Sequence, residues 1–281
     1  MDNKKRTAIQ GIAMLLQNAN IKGFFTGKIY QGQIKNICVP GLNCYSCPGA
    51  VGACPIGSLQ NTLSSYKFKF PYYVLGLVFF FSALFGRLIC GFICPFGFVQ
   101  DILHKIPFIK KIKTFKGDKL LRNLKYIVLI VMVIILPIVF KLTPVFCKYL
   151  CPSGTLAGIL LSLSNTKLFS VLGGRFAWKV SILVVIVLIS MMVARPFCKY
   201  LCPLGAIYAP FNKFSAVKMM CDNEKCINCK ACQRVCDMCV DPSITPNSTE
   251  CIRCGKCISA CPVDALKMGS IFTENKTDIN R

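Results

Sequence analysis

The sequence lacks the residues that would hold a haem or a nucleotide cofactor. Its single histidine is His104, and it contains no Cys-x-x-Cys-His segment, which argues against a haem. It also has no dinucleotide or flavin-binding motif, because the glycine pair in "VLGGRF" (171–176) is typical of a turn. Any cofactor must therefore be held by other residue types.

Acidic residues are also scarce. The 281 residues include 11 Asp+Glu against 34 Lys+Arg, which gives a formal net charge of +23. In a soluble protein this excess would favour a nucleic-acid partner, but here the basic residues flank apolar runs, an arrangement that orients membrane proteins. Together with 54% hydrophobic residues, this pattern predicts a multi-pass protein of the cytoplasmic membrane without a nucleic-acid partner.

Three uncharged apolar runs predict transmembrane helices, at 70–86, 126–140 and 180–194. A fourth, amphipathic segment at 7–21 could either cross the membrane or lie at its interface, so the total is three or four. Arg87 and Arg195 border two of the runs and are expected to extend to the interface.

The loop at 101–125 carries eight Lys/Arg and should be cytoplasmic by the positive-inside rule. Counting crossings from this loop places the C-terminal tail in the cytoplasm and two groups of cysteines at opposite faces. The group near the inner face comprises Cys90, Cys94, Cys198 and Cys202. The group toward the outer face comprises Cys38, Cys44, Cys47, Cys54, Cys147 and Cys151.

Twenty cysteines in a long, apolar chain favour metal ligation over a disulfide framework. A Cys-Pro-x-Gly motif recurs at 54–57, 94–97, 151–154 and 202–205. The first two copies of the motif correspond to the last two, at offsets of 97 and 108 residues. This repetition indicates a duplicated unit with a pseudo-two-fold axis along the membrane normal. Such an axis would bring Cys90 and Cys94 against Cys198 and Cys202, and four thiolates are the number that one [4Fe-4S] cluster requires.

The outer group has more cysteines than one cluster needs. Symmetry favours Cys147, Cys151, Cys54 and Cys47 as the four ligands of an outer cluster, but Cys44 could replace Cys47. Cys38 would then be left over, or disulfide-bonded in an oxidising compartment.

The tail holds two Cys-x2-Cys-x2-Cys-x3-Cys runs, at 226–236 and 251–261. In such pairs three cysteines of one run bind a cluster and the fourth binds the other cluster, whereas a zinc ribbon would show paired Cys-x2-Cys. The predicted ligands of the first cluster are Cys226, Cys229, Cys232 and Cys261. Those of the second are Cys251, Cys254, Cys257 and Cys236, with Cys239 as an alternative to the last. Cys221 has no assigned partner.

These motifs carry a family resemblance. The tail is similar to bacterial two-cluster ferredoxins, and the whole chain resembles the polyferredoxin-type membrane proteins of the NapH/NosR kind. The resemblance implies a cytoplasmic ferredoxin tail and electron transfer linked to the membrane or to an outer redox partner. Because the block at 38–60 departs from the NapH pattern, a nitrate or nitrous oxide pathway does not carry over.

The expected fold is a membrane all-α domain at 1–215, duplicated, followed by a small α+β domain of bacterial 2[4Fe-4S] ferredoxin type at 216–281. The expected function is electron relay without a substrate site of its own. Its partners would be a soluble ferredoxin, flavodoxin or reductase inside, and a flavin or other redox protein outside. The alternatives are quinol-linked transfer within the membrane and a cluster-dependent redox sensor or maturation protein.

Iron and sulfide content tests the cysteine assignments. The tail should hold two clusters and the membrane domain one or two more, so about sixteen irons per chain are expected if both membrane sets bind a cubane. Chemical analysis of purified protein, with EPR of the reduced form, measures this number. A value near eight would confine the clusters to the tail.

Overall fold

The computed structural model describes residues 3–65, 70–107, 111–114, 117–141, 143–164 and 173–270. Its helices are α1 Asn3–Gln17, α2 Ile21–Thr26, α3 Pro55–Leu63, α4 Tyr72–Phe85, α5 Leu88–Phe92, α6 Pro95–His104, α7 Asp118–Leu121, α8 Leu124–Ile127, α9 Leu136–Val139, α10 Val145–Tyr149, α11 Pro152–Ser164, α12 Gly174–Met192, α13 Pro196–Tyr200, α14 Pro203–Phe211, α15 Ala231–Arg234 and α16 Lys256–Ser259. A 3-10 turn, Gln33–Asn36, precedes α3, and a π-helix, Val128–Ile135, joins α8 to α9. Two strands, β1 Val217–Cys221 and β2 Leu266–Ser270, complete the fold.

Two helices of the described part are long and apolar enough to cross a membrane, Asp118–Val139 and Gly174–Met192. Only 22% and 17% of their most apolar stretches are buried inside the protein, whereas the core helix of a soluble protein would be mostly buried. Their apolar side chains therefore face outward, as lipid contact requires. The third expected span corresponds to the shorter helix Tyr72–Phe85.

Helix α1 has its polar side turned inward. Gln10 Nε2 donates to the Gly91 carbonyl at 2.9 Å, and Gln17 Nε2 donates to the Ile93 carbonyl at 2.7 Å. The opposite side of the helix exposes Leu15 and other large apolar residues. This reversal of the usual amphipathic arrangement fits a helix that contacts lipid outside and backbone carbonyls inside.

Each of the four Cys-Pro-x-Gly motifs begins a helix. In α3, α6 and α14 the cysteine is the extended residue before the helix. In all four helices the proline occupies the first turn, where its missing N–H leaves no bond unmade. The resulting helices are α3, α6, α11 and α14. The sequence predicted this local structure, and it places each cysteine sulfur at a helix N-terminus.

The tail is a small α+β unit. Strands β1 and β2 pair antiparallel, with Met219 opposite Met268. Arg253 attaches the tail to the rest of the protein, because its buried guanidinium donates to the Phe85 carbonyl at 3.0 Å and to the Asn212 carbonyl at 2.7 Å. The tail is thus held by contacts with backbone that adjoins α4 and α14.

Glu250 provides a second attachment of the tail, which a Glu250→Gln substitution tests. Its carboxylate accepts a hydrogen bond from Arg87 Nη1 at 3.0 Å and also pairs with Lys125, and both cations are fully buried. Leaving them unpaired should lower the free energy of unfolding by about 3–5 kcal/mol, measured by thermal or denaturant unfolding. Glu224→Gln, at an exposed tail position, is the matched control and should change stability little.

The pH dependence of stability should follow from the same group. Burial alone would raise the pKa of Glu250, but the charges of Arg87 and Lys125 lower it below its ordinary value. The stability that ionised Glu250 contributes is fully present above the ordinary carboxyl pKa. It is lost as the pH falls through the lowered pKa of the folded protein. Equal acid sensitivity of the wild type and Glu250→Gln would contradict this account.

Candidate functional site: four groups of cysteines

One group of cysteines combines the two halves of the membrane domain. Cys90, Cys94, Cys198 and Cys202 are only 5–7% exposed and lie close enough to interact electrostatically. Burial, and then the nearby sulfurs of Cys94 and Cys90, raise the pKa of Cys198 to about 12. The four predicted ligands of this set are therefore neighbours in a site that needs bound cations before all four can ionise.

Two buried arginines connect the halves reciprocally across this group. Arg87, three residues before Cys90, donates through Nη2 to the Cys198 carbonyl at 3.2 Å. Arg195, three residues before Cys198, donates through Nη1 to the Cys90 carbonyl. Both guanidinium groups are at most 1% exposed, so the expectation that they extend to the interface is wrong. Their charge is instead available to an anionic cluster.

Sequence reasoning missed two glutamines that serve this arrangement. Gln100 donates through Nε2 to the Cys198 sulfur at 3.1 Å, and its Oε1 accepts from the Phe197 amide at 3.2 Å. Gln60 makes the matching contact in the other membrane group, because its Oε1 accepts a hydrogen bond from the Cys147 amide at 3.2 Å. Both are the last residue of a Cys-Pro-x-Gly-x-x-Gln segment. The repetition of this polar residue in an apolar helix was the signal that could have identified both glutamines from the sequence.

The second membrane group surrounds a cavity of about 630 Å³. Its walls include Cys44, Cys54, Cys147 and Cys151, together with Lys35 and Lys179. Gly154 also lies in this wall, and a Cβ there would be in van der Waals contact with the Cys44 sulfur, at 3.8 Å. Burial raises the pKa of Cys54 to about 12, with further contributions from the neighbouring sulfurs of Cys151 and Cys44.

Cys47, the first-choice ligand, lies outside the wall of this cavity. It packs with Ala50 and Ala157 in a separate apolar cluster, and its sulfur lies 3.7 Å from Asn18 Oδ1. Cys44, the alternative ligand, lines the cavity with Cys54, Cys147 and Cys151 and also packs against the Cys47 cluster. Spacing could not separate the two, because Cys44 and Cys47 are one turn apart in an irregular loop. Cys38 lies outside the cavity and hydrogen-bonds Ser58 at 3.4 Å.

The tail contains the other two groups. Cys226, Cys229, Cys232 and Cys261 line one small cavity, which Cys221 also contacts. Cys236, Cys251, Cys254 and Cys257 lie near one another. Cys239 turns away and its thiol donates to the Lys113 carbonyl at 3.0 Å. Cys236 therefore lies among the cysteines of the second tail group, and Cys239 does not.

The two tail loops share an unusual backbone conformation. Two and four residues after the first cysteine of each run, the backbone adopts a positive φ, at Asn228 and Lys230 in one loop and at Arg253 and Gly255 in the other. Left-handed residues at alternate positions curl a chain tightly. The curl directs three cysteines of each run toward one centre.

The donor set suits iron–sulfur clusters. A cubane takes four thiolates spread around its corners. Four groups of four neighbouring thiols, two of them beside buried cations, match that requirement.

The two membrane groups are close to each other. The Leu42 amide donates to the Cys94 sulfur at 3.5 Å, and Cys44 follows two residues later, so its Cα is within roughly 12 Å of that sulfur. Phe140, at the end of the apolar run, is 60% exposed, whereas Phe146, next to Cys147, is fully buried. The two groups therefore lie closer together than a hydrocarbon core of about 30 Å is thick, whereas the expectation that they lie at opposite membrane faces assumed that each cysteine motif stays at the face where its apolar run ends.

Family comparison identifies the chemistry. A family model described as "4Fe-4S binding domain" matches residues 52–73, 71–116, 124–169 and 176–219, which is more than half of the chain, and a second with the same description matches 244–267. This chain belongs to the 4Fe-4S binding domain family. It is a polyferredoxin-type iron–sulfur protein of electron transfer that binds [4Fe-4S] clusters, and the resemblance drawn from its cysteine motifs is confirmed.

Individual relatives agree with this 4Fe-4S family membership. An uncharacterised protein of Methanocaldococcus jannaschii is 32% identical over 213 residues, covering 72% of this chain and 71% of that protein. A second uncharacterised protein of the same organism is 30% identical over 197 residues, covering 68% and 75%. The ferredoxin-type protein NapH of Haemophilus influenzae is 26% identical over 216 residues, covering 70% and 67%. No solved structure matches the chain significantly.

Paired serine variants test the ligands of the second membrane group. Cys44→Ser should lose about four irons per chain, because it removes one corner ligand of a cubane. Cys47→Ser, three residues away in the same loop, should keep its full iron content. Iron analysis and EPR of the reduced proteins measure both. Loss of iron in Cys47→Ser with full content in Cys44→Ser would reverse the assignment.

Proposed function

We propose that this protein relays electrons from a cytoplasmic donor to the membrane or an extracytoplasmic partner through four [4Fe-4S] clusters. The tail clusters use Cys226, Cys229, Cys232 and Cys261, and Cys236, Cys251, Cys254 and Cys257. The membrane clusters use Cys90, Cys94, Cys198 and Cys202, and Cys44, Cys54, Cys147 and Cys151. In this scheme the clusters supply the electron-transfer chemistry, and the protein positions them and tunes their charge environment.

The direct backbone contact between the tail and the first membrane group carries the proposal. A Cβ at Gly91 would lie 2.4 Å from the Ile252 carbonyl oxygen, so the two backbones touch at this point. Gly91 follows Cys90, and Ile252 follows Cys251. A ligand of the second tail cluster is thus one residue from the contact on one side, and a ligand of the membrane cluster is one residue from it on the other.

Tyr208 supports continuation of the path between the membrane groups. It is fully buried, and its hydroxyl donates to the Pro40 carbonyl at 2.8 Å. Burial raises its pKa, and the nearby sulfurs of Cys90 and Cys54, one from each group, contribute in the same direction. One side chain therefore fills space between the two sites, which keeps water out and keeps the separation fixed.

The topology that accompanies this proposal has three to four membrane helices in a duplicated membrane domain at 1–215, with the ferredoxin-like domain at 216–281 in the cytoplasm. The reciprocal arginine contacts and the recurring Cys-Pro helices support duplication. The eight Lys/Arg at 101–125 support the orientation. The same basic surface would attract acidic carriers such as ferredoxin or flavodoxin.

A quinone-linked variant of this function is favoured by one observation. An apolar cavity of about 330 Å³ lies between α1, α6 and α11, with Asn18 and Asn43 in its wall and Cys44 beside it. Its mouth includes Leu15, which is 68% exposed on the lipid-facing side of α1. A quinone ring would fit an apolar pocket with few polar groups. Reduction of the clusters by a membrane quinol, lost when Leu156→Trp fills the cavity, would support this variant over a soluble donor.

Substituting Gly91 tests the docking of the tail on the membrane cluster. Gly91→Ala places a methyl group against the Ile252 carbonyl, which should cost about 1–3 kcal/mol and weaken docking about tenfold. Iron content should stay normal while the membrane clusters are reduced more slowly by reduced ferredoxin, as rapid-freeze EPR measures.

The matched control is Gly76→Ala, since a Cβ there would meet no atom within 4 Å. It should transfer electrons at the wild-type rate. Unchanged transfer in Gly91→Ala, with the substitution verified and clusters intact, would reject this route.

A further inference from the structure

A basic cavity of about 190 Å³ lies where the tail meets the membrane domain. Five cations contribute to its wall: Arg6, Lys105, Lys111, Lys113 and Lys256. Two carboxylates also line it, Asp101 and Asp237. The charged residues of the wall therefore carry an excess of three positive charges.

The two carboxylates are already paired. Asp101 contacts Arg195 at 2.6 Å and Arg6 at 3.2 Å, and Asp237 pairs with Lys256. They cannot neutralise the remaining cations of the cavity as well. The remaining lysines are exposed and have no carboxylate partner among the described residues, although Lys105 donates to Thr7 Oγ1 at 3.1 Å and Lys113 to the Arg234 carbonyl.

One buried basic group of the wall is incompletely satisfied, and one exposed basic group has no protein partner. Arg6 is 3% exposed, and its Nε–H has no hydrogen-bond partner within the described residues. A buried donor without a partner costs about 1–3 kcal/mol, which a bound acceptor would recover. Lys111 is exposed in the same wall and makes no side-chain hydrogen bond or ion pair among the described residues, so its ammonium group is open to a ligand. Both lie in the same cavity wall.

We propose that this cavity binds a phosphate oxyanion, supplied by the headgroup of an anionic phospholipid. Guanidinium and ammonium groups are the usual ligands of phosphate. The cavity adjoins the C-terminal ends of α6 and α12, and Ile102 and Ile9 are exposed on the adjacent helix faces. Basic pockets at the cytoplasmic ends of membrane helices are typical headgroup sites. The lipid source rests on the membrane placement proposed above; the oxyanion site does not.

The location gives the bound phosphate a structural role. Arg6 belongs to α1 and Lys105 follows α6, whereas Lys256 belongs to the tail beside the cluster ligand Cys257. Asp237 likewise follows Cys236. A phosphate in this cavity would connect the membrane helices to the second tail cluster, so lipid composition would affect how firmly the tail docks.

The test uses the full-length protein, purified in a neutral detergent and stripped of lipid. Phosphatidylglycerol, phosphatidylcholine and inorganic phosphate are titrated separately, and native mass spectrometry counts the bound molecules. The wild type should bind one phosphatidylglycerol tightly. Lys111→Gln should weaken that binding about tenfold, the loss expected for one charge-assisted contact, with iron content unchanged.

The matched control is Lys213→Gln, which removes one exposed positive charge outside the cavity wall. It should bind as the wild type does. Equal weakening in both variants, or no tight site in the wild type, would overturn the proposal. Inorganic phosphate binding with the same dependence on Lys111, in the absence of a lipid preference, would retain the oxyanion site and reject the lipid source. Electron transfer is not measured, so failure here leaves the relay function unaffected.

Discussion

Buried iron–sulfur clusters need positive charge beside them, because an anionic group in a low-dielectric interior is costly unless it is paired. Arg87 and Arg195 meet this need for the first membrane group. Each comes from one half of the domain and donates to a cysteine carbonyl of the other half. The same two residues are held by Glu250 and Asp101. Charge compensation, assembly of the two halves and attachment of the tail therefore depend on one set of ion pairs.

The proximity of the cysteine groups changes how transfer would proceed. A protein with centres at the two membrane faces would have to move electrons across most of a hydrocarbon core about 30 Å thick between them. Here the Leu42 amide touches Cys94 two residues before Cys44, and Tyr208 lies beside both groups. The irregular backbone that holds the cysteines is buried in protein, which is the condition under which such backbone is tolerated at membrane depth.

Motif spacing predicted much of this arrangement. The Cys-Pro helices and the α+β tail follow from local sequence rules, because proline and cysteine spacing act over a few residues. The joining of Cys90 and Cys94 with Cys198 and Cys202 follows instead from the repetition of the motif, since a duplicated unit implies a symmetry axis. Spacing could not choose between Cys44 and Cys47, since both lie in an irregular loop whose path is set by distant packing. It also assigned Arg87 and Arg195 to the interface, because their partners Glu250 and Asp101 are far away in the sequence.

Transfer across a sealed membrane tests the relay most directly. The protein would be reconstituted in liposomes with an electron acceptor trapped inside, and a membrane-impermeant reductant would be added outside with the tail facing it. The account predicts reduction of the trapped acceptor by the wild type and little reduction by Cys44→Ser. A wild type whose clusters are all reduced from outside, while both the trapped acceptor and a quinone added to the bilayer stay oxidised, would contradict it.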